Sequence, residues 1–407
     1  MQFHIYLQVK GKLCRMEVIL MEKKKVAILT LYYKNYNYGG QLQSYALQNK
    51  IEKLGYSSYQ ISYKLETGYE EKNKIKKILK KFLYPLVKLK YILKNYKWLK
   101  FTKETNKKFE KFSNNIPHTK VYTAKNIKNL NKEFDIFVCG SDQIWNPMGW
   151  QDILMLSFAE KNKHKISYAA SIAKNELTDE ETKFLCNNIK DFDYISIREP
   201  NNKEKIEKKL NKKVYIMPDP TWLLNKNEWK KIVGRRIINN EYILVYLLGE
   251  NTNYRKQIID YGKKTNKEVI FIPFVSKKTL DWDINNNEFK KNIGVEDFLS
   301  LIYYANLVIT DSFHGLVFSL IFQKEFVVLD RFKKDDSKSM NSRLDNLLKE
   351  FNLVEKKCSC IDENYDYRKL SEEQKNNIES KLKELSKEGT NFIENVLKSI
   401  TKNNKLL

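Results

Sequence analysis

The chain is poor in the residues that punctuate loops, with 13 glycines and 7 prolines among 407 positions, which argues against fibrous or low-complexity classes. No apolar run approaches the ~20 residues that a membrane-spanning helix requires. The first twenty residues lack the basic start, apolar centre and small-residue cleavage site of a secretory signal. Five cysteines stand at 14, 139, 186, 358 and 360, an odd and scattered set. Only Cys358 and Cys360 are close, and CxC without a second His/Cys pair is poor metal spacing, so neither a metal nor a cofactor is expected. Scattered thiols suit a reducing compartment, and a cytoplasmic location follows as an expectation. Histidine is rarer still: there are four in all.

Acidic charge is in deficit. Lys and Arg number 74 against 50 Asp and Glu, a formal net charge of +24. Such a balance points to nucleic acid, a membrane surface or an anionic small substrate. Residues Glu71 to Lys111 hold fifteen Lys and three acidic residues, so half the excess lies in a tenth of the chain. No RNP, zinc-finger or helix-turn-helix pattern accompanies this block, and nucleic acid is not expected as a partner. Within it, Ile75, Ile78, Leu79, Phe82 and Leu83 form one apolar stripe, and Leu89, Ile92, Leu93 and Tyr96 another beyond Pro85. That spacing predicts a basic helical insertion over 72–111, two amphipathic helices with Lys outward, suited to the anionic face of a membrane.

Strand-like runs alternate with helical patterns, which predicts α/β architecture with parallel sheets. Residues 1–20 read as an extension ahead of a natural start at Met21. A first lobe is expected over 21–230. It opens with a strand at Val26–Tyr33, a helix at Gln41–Leu54 and a strand at Ser58–Tyr63, and further strands follow near Phe134, Lys165, Tyr194 and Val214. A second lobe over 231–355 has strands near Tyr242, Glu268, Leu307 and Phe326, and a charged helical tail fills 356–407.

In parallel α/β folds ligands bind where strands run into helix N-termini, and four segments fit that rule. Asn37-Tyr38-Gly39-Gly40 lets backbone approach an anion before a helix, or is simply a glycine turn. Ser141, Asp142, Gln143 and Trp145 follow a buried strand and would suit a sugar, with polar groups for its hydroxyls and a ring for its C–H face. The bland reading has Asp142 as a helix cap and Trp145 in the core. Arg198 ends a strand and can grip a carboxylate or phosphate, unless it pairs with Glu199. Asp311-Ser312-Phe313-His314 joins a strand to a helix whose first turn holds one of the rare histidines, with Asp311 or Ser312 as its cap.

Taken in order, NYGGQLQSYALQ, FDIFVCGSDQIWNP, ISYAASIA, SIREP, MPDPTWLL, TDSFHG and NSRLDNLL resemble the polysaccharide pyruvyl transferase family over roughly Lys25 to Leu353. The resemblance implies two Rossmann-like lobes of GT-B-like form, with the site between them. It implies transfer of pyruvate from phosphoenolpyruvate to a sugar of a cell-surface polysaccharide or its lipid-linked precursor, as a ketal. His314 then matches the catalytic-region histidine, Arg198 a donor anchor, Lys324 and Arg343 further cations, and Asp142 the group facing the acceptor. Some members carry Arg two positions before the histidine, where this chain has Ser312, so one expected donor cation is missing. Two other readings stand beside this one. The first is a glycosyltransferase using a nucleotide sugar, which would need a second-lobe acidic residue such as Glu325 on the sugar. The second is a non-catalytic envelope-assembly protein.

Overall fold

The computed structural model describes residues 2–9, 12–19, 24–65, 85, 88–90, 92–149, 151–249, 251–273, 290, 292–332, 341–361, 365–367 and 369–403. Strands β1 (Gln2–Val9) and β2 (Lys12–Ile19) form an antiparallel hairpin that joins neither main sheet. The first parallel sheet contains β3 (Lys25–Leu29), β4 (Ser57–Gln60), β5 (Ile136–Cys139) and β6 (His164–Ser167) in the order β4-β3-β5-β6. Single bridges Ile166–Tyr194 and Ala170–Ile197 lead on to the parallel pair β7 (Ile195–Ile197) and β8 (Val214–Ile216). The second sheet contains β9 (Tyr242–Tyr246), β10 (Glu268–Phe271), β11 (Leu307–Thr310), β12 (Glu325–Leu329) and β13 (Lys357–Cys358), ordered β10-β9-β11-β12-β13 and parallel throughout.

Both sheets reverse their winding at the same place. Strand β3 has its successor β4 on one side and β5 on the other, and β9 likewise lies between β10 and β11. A crevice opens beyond the carboxyl ends of strands at such a switch point, and it is where doubly wound sheets bind ligands. Each lobe is thus Rossmann-like. Strand side chains alternate between the two helix layers as the pleat requires. Val26 and Ile28 face a cluster with Phe392, Ile393 and Val396 of the terminal helix Glu372–Asn403, whereas Ala27 and Leu29 face the opposite layer. Ile243 and Val245 of β9 divide from Tyr242, Leu244 and Tyr246 in the same way.

The largest apolar cluster belongs to both lobes. Tyr38, Leu42 and Ala46 of the helix Tyr38–Lys53 share it with Phe298, Val317 and Phe318 of the second lobe. Tyr38 stacks on Phe298 with ring centroids 4.5 Å apart, and its hydroxyl donates to the Ile293 carbonyl. The chain crosses between lobes twice. After β8 it passes through Trp222, Leu224 and Trp229, already in the shared cluster, and the terminal helix returns with Ile378 and Leu385 in that cluster and Leu397 and Ile400 on the first sheet. A shared apolar core of this kind restrains hinge motion between lobes.

The sequence expectation of a basic hairpin over 72–111 falls in part outside the described residues, which omit 66–84, 86, 87 and 91. Within the described portion the chain is helical and continues past 111. Helix Tyr96–Asn114 buries Phe109 and Phe112 in the interlobe cluster, and Lys108 pairs with Asp297 at 2.7 Å. Its apolar residues are covered by the cluster common to both lobes, which spacing alone does not reveal. Leu89, Ile92, Leu93 and Tyr96 are exposed.

Candidate functional site

Two helix N-termini meet at the junction of the switch points. Asn37 caps the helix Tyr38–Lys53, its side-chain oxygen accepting the Gly40 N–H at 3.1 Å. Ser312 caps the helix Phe313–Ile321, its hydroxyl accepting the Gly315 N–H at 3.4 Å. Gly39 of one helix lies flat against the imidazole of His314 on the other. A Cβ at position 39 would fall 1.9 Å from Nδ1, so glycine is obligatory for this approach.

Asp142 enters from the first sheet beside the same helix end. Gly140 adopts φ 110, and a Cβ there would lie 2.3 Å from the Tyr168 carbonyl oxygen, so only glycine makes this turn. Asp142 itself sits at φ 61, an unusual conformation for a residue with a side chain and one that concentrates at functional sites. A Cβ on Gly40 would lie 3.4 Å from its Oδ2. The carboxylate therefore faces the opening turn of the helix Tyr38–Lys53, where N–H dipoles favour negative charge.

Arg198 is buried and fully engaged. Nη1 donates to Asp219 Oδ2 at 2.7 Å, Nη2 to Ser171 Oγ at 2.9 Å, and Nε to Glu199 Oε1 at 3.2 Å. Burial opposes its charge, but Glu199, Asp219 and Asp142 together hold its pKa above the ordinary value. Burial likewise works against ionised Asp219. His314, Arg198 and the Thr221 N–H outweigh it and keep that carboxyl well below the usual range. His314 Nε2 faces Asp219 Oδ2 at 3.8 Å, an ion-pair distance too long for a hydrogen bond.

Arg343 behaves differently. Its guanidinium lies 5.0 Å from the Phe313 ring centroid and that of Arg198 4.8 Å from the same centroid, so one ring contacts both cations. Its Nε is 3.8 Å from Glu199 Oε1 and, like His314 Nε2, has no hydrogen-bond partner among the described residues. Burial first, and then Arg198, draw its pKa down to about 10, which leaves it charged at neutral pH. Arg198, Asp219, Phe313 and Arg343 line a cavity of about 440 Å³ that continues to Asn346 and Glu388. Next to it, Arg331 at the end of β12 donates from Nη2 to the Asp311 carbonyl at 3.0 Å. Asp311 accepts the Leu248 and Gly249 N–H groups at 2.7 and 2.8 Å and thus ties the loop after β9 to that after β11. Burial raises its carboxyl pKa, against the pull of Arg331 and those N–H groups.

The structure brings Gly39, Gly40, Asp142, Arg198 and His314 together with Asp311, Ser312 and Arg343. Several expectations change. Trp145 is wholly buried, edge-on to Phe192, so it has no free face for a sugar. Ser141 is spent internally, its N–H on Gln43 Oε1 and its hydroxyl on the Ala169 carbonyl. Gln143 accepts from the Asn146 side chain, and Tyr38 and Asn37 serve the lobe interface and the helix cap. Lys324 donates to the Tyr303 carbonyl at the entry of β12, the edge of the sheet remote from the crevice. Glu325 begins the same strand and accepts the Leu370 N–H, so it cannot hold a sugar at the switch point. Arg198 is tethered by the acids Glu199 and Asp219 and by Ser171. The pairing of Arg198 with Glu199 was among the readings the sequence offered. Asp219 and Arg331 did not stand out in the sequence, although the PDP of MPDPTWLL directly after a strand was a signal available for Asp219.

These features define a two-lobed α/β protein whose polar centre is assembled between facing switch points. A family model described as polysaccharide pyruvyl transferase matches residues 37–331, and the chain belongs to that family. Among solved structures, it is similar to the UDP-GlcNAc 2-epimerase from Methanocaldococcus jannaschii, at 13% identity and TM-score 0.48, over 92% of this chain and 99% of that one. It is also similar to a putative UDP-N-acetylglucosamine 2-epimerase from Listeria monocytogenes, at 11% identity and TM-score 0.46, over 83% and 90%. A third is an α-glucosyltransferase in complex with UDP and DNA, at 9% identity and TM-score 0.44, over 90% and 91%. No match was found among curated proteins.

Proposed function

We propose that the chain transfers the pyruvyl group of phosphoenolpyruvate to a saccharide of a cell-surface polysaccharide or its lipid-linked precursor, closing a cyclic ketal. The observation that carries this reading is a pair of buried nitrogens beside the Phe313 ring, His314 Nε2 and Arg343 Nε, neither with a hydrogen-bond partner among the described residues. An acid must protonate the donor methylene, which leaves an oxocarbenium-like carbon. One sugar hydroxyl attacks that carbon and gives its proton to a base. Phosphate then leaves with the ester electron pair, and a second hydroxyl closes the ring while its proton goes to the departing phosphate. His314 is the acid and Asp142 the base for the acceptor. Arg343 and Arg331 provide fixed cations for the donor carboxylate and phosphate, and Arg331 compensates for the serine at 312. The remote position of Glu325 weighs against a nucleotide-sugar donor.

Mass spectrometry of acceptor oligosaccharides incubated with phosphoenolpyruvate tests this reading. The expected gain is one pyruvic acid less one water per ketal, with phosphate released. A gain of a hexosyl unit from a nucleotide sugar would support the glycosyltransferase reading instead. No gain from either donor would leave the non-catalytic one.

A lipid-linked acceptor would place the protein at a membrane. Among the described residues no helix is long and apolar enough to cross one. Exposed Leu89, Ile92, Leu93 and Tyr96 lie among Lys88, Lys90 and Lys94, a pattern suited to the headgroup region of anionic lipid. Each Lys near such a surface contributes ~1 kcal/mol, screened within about 10 Å at moderate salt. Co-sedimentation should require vesicles containing anionic phospholipid and fade as salt rises. Equal binding to neutral vesicles would refute the electrostatic mechanism.

A further inference from the structure

A separate hollow of about 360 Å³ opens on the first lobe, with Tyr33, Tyr36, Glu110, Ser113 and His118 in its walls. It lies apart from the Arg198–Asp219–His314 cluster but adjoins the same loop. Asn35 lines it, and a Cβ on Gly40 would meet Asn35 Nδ2 at 3.0 Å, with Asp142 Oδ2 at 3.4 Å. The loop is held rigidly. Gln41 Nε2 donates to the carbonyls of Tyr32 and Asn35, both at 2.8 Å, and Gln41 Oε1 accepts from Ser113 Oγ at 2.8 Å. One buried side chain of the NYGGQ segment therefore fixes the hollow and the turn that carries Gly39 and Gly40.

The lining has the chemistry of a carbohydrate seat. Tyr33 and Tyr36 are half-buried, and aromatic faces of this kind cover the C–H surface of a sugar ring. Tyr36 donates its hydroxyl to Glu110 Oε1 at 2.9 Å, which leaves the second carboxylate oxygen for a ligand hydroxyl. His118 Nδ1 lies 2.7 Å from the Ile116 carbonyl, which can only accept, so Nδ1 donates there and Nε2 is left for a ligand hydroxyl. Exposed Asn114 and Lys34 add donors. The mixture of acceptors and donors around rings serves hydroxyls better than it serves a phosphate, which Glu110 would repel.

The geometry points to this hollow as the subsite for the non-reacting sugar units of the acceptor, with the unit to be modified extending past Asn35 towards Asp142 and His314. The inference rests on the transfer reading above, and its test separates the two. Saturation-transfer NMR with cellobiose, maltose, lactose and chitobiose as probes should show binding of at least one to the wild-type protein. Tyr33→Ala and Tyr36→Ala should weaken that binding roughly tenfold, and Tyr36→Phe, which keeps the ring, should weaken it less. Tyr36 also packs edge-on to Phe109, so melting curves accompany each variant, and the Tyr33 variant carries the test if the Tyr36 variant is destabilised. Binding of none of the four sugars, or equal binding by folded Tyr33→Ala, would overturn the subsite. Phosphoenolpyruvate binding, followed separately by calorimetry, should be unaffected in Tyr33→Ala and lost in Arg343→Ala. Absence of phosphoenolpyruvate binding to the wild type would defeat the donor reading while leaving the sugar result to stand on its own.

Discussion

Turnover with phosphoenolpyruvate is expected to fall by about 10²–10⁴-fold when His314 is replaced by alanine, with little change in thermal stability. In transition-state terms this is a loss of ~3–5 kcal/mol. The two effects separate because of how the ring is held. His314 Nε2 has no hydrogen-bond partner among the described residues. Asp219, whose charge it helps to offset, keeps its hydrogen bonds from Arg198 and Thr221, so truncation leaves no buried protein donor or acceptor without a partner. What remains on the fold is contact with Gly39 and Phe313 and the long approach to Asp219. Gly39→Ala is the companion variant. It retains the histidine but places a methyl group 1.9 Å from Nδ1, and the ring or the lobe contact has to shift. Activity should drop with the imidazole still present, alongside a measurable loss of stability. Wild-type turnover in a stable His314→Ala protein would remove this histidine from the chemistry.

The sheets were legible in the sequence because their strands are covered on both faces and read as uninterrupted apolar runs. Ile136–Cys139 and Leu307–Thr310 are buried at every position. Helix starts were legible through their caps, as at Ser312, and through the glycines that follow strands. What covers the second half of the basic block was not legible, because an amphipathic pattern shows that a face is apolar without showing its partner. Phe109 packs on Tyr38 and Phe112 on Tyr45 within the cluster shared with the second lobe, and Lys108 beside them reaches Asp297, 189 residues away in sequence. Individual site roles were less legible for a related reason. Residue type and position after a strand place a side chain at the crevice, but whether it faces ligand, core or another protein group depends on partners from distant segments. Arg198 has two such partners nearby in sequence or space, Glu199 and Asp219, and both acids claim it. Trp145 sits in a motif rich in polar neighbours yet turns inward, where Phe192 and Cys139 receive it.

Asp219 is the residue whose loss should damage the fold and the site together. Its Oδ2 accepts from Arg198, and its Oδ1 accepts the Thr221 N–H at 3.0 Å and the Thr221 hydroxyl at 2.7 Å. Asp219→Asn can keep the Thr221 contacts through its amide oxygen but removes the charge and turns a donor towards the guanidinium. Removing one member of a buried ion pair typically costs 3–5 kcal/mol, since the other is left uncompensated. Glu199 still faces Arg198 at 3.2 Å, which places the expected loss near the low end, ~3 kcal/mol in urea denaturation. The pH dependence has a definite sign. The folded carboxyl titrates below its ordinary 3.8, so its contribution is complete above that value and lost as pH falls through the lower folded value. The stability difference between wild type and Asp219→Asn should thus hold steady through neutral and mildly acidic pH and narrow only below about 3.8. Turnover should fall as well, because Asp219 stands between Arg198 and His314 and fixes their separation. A variant as stable as wild type would show that Glu199 and Ser171 alone satisfy Arg198. One that narrows the gap already near neutral pH would show that another group carries the acid dependence.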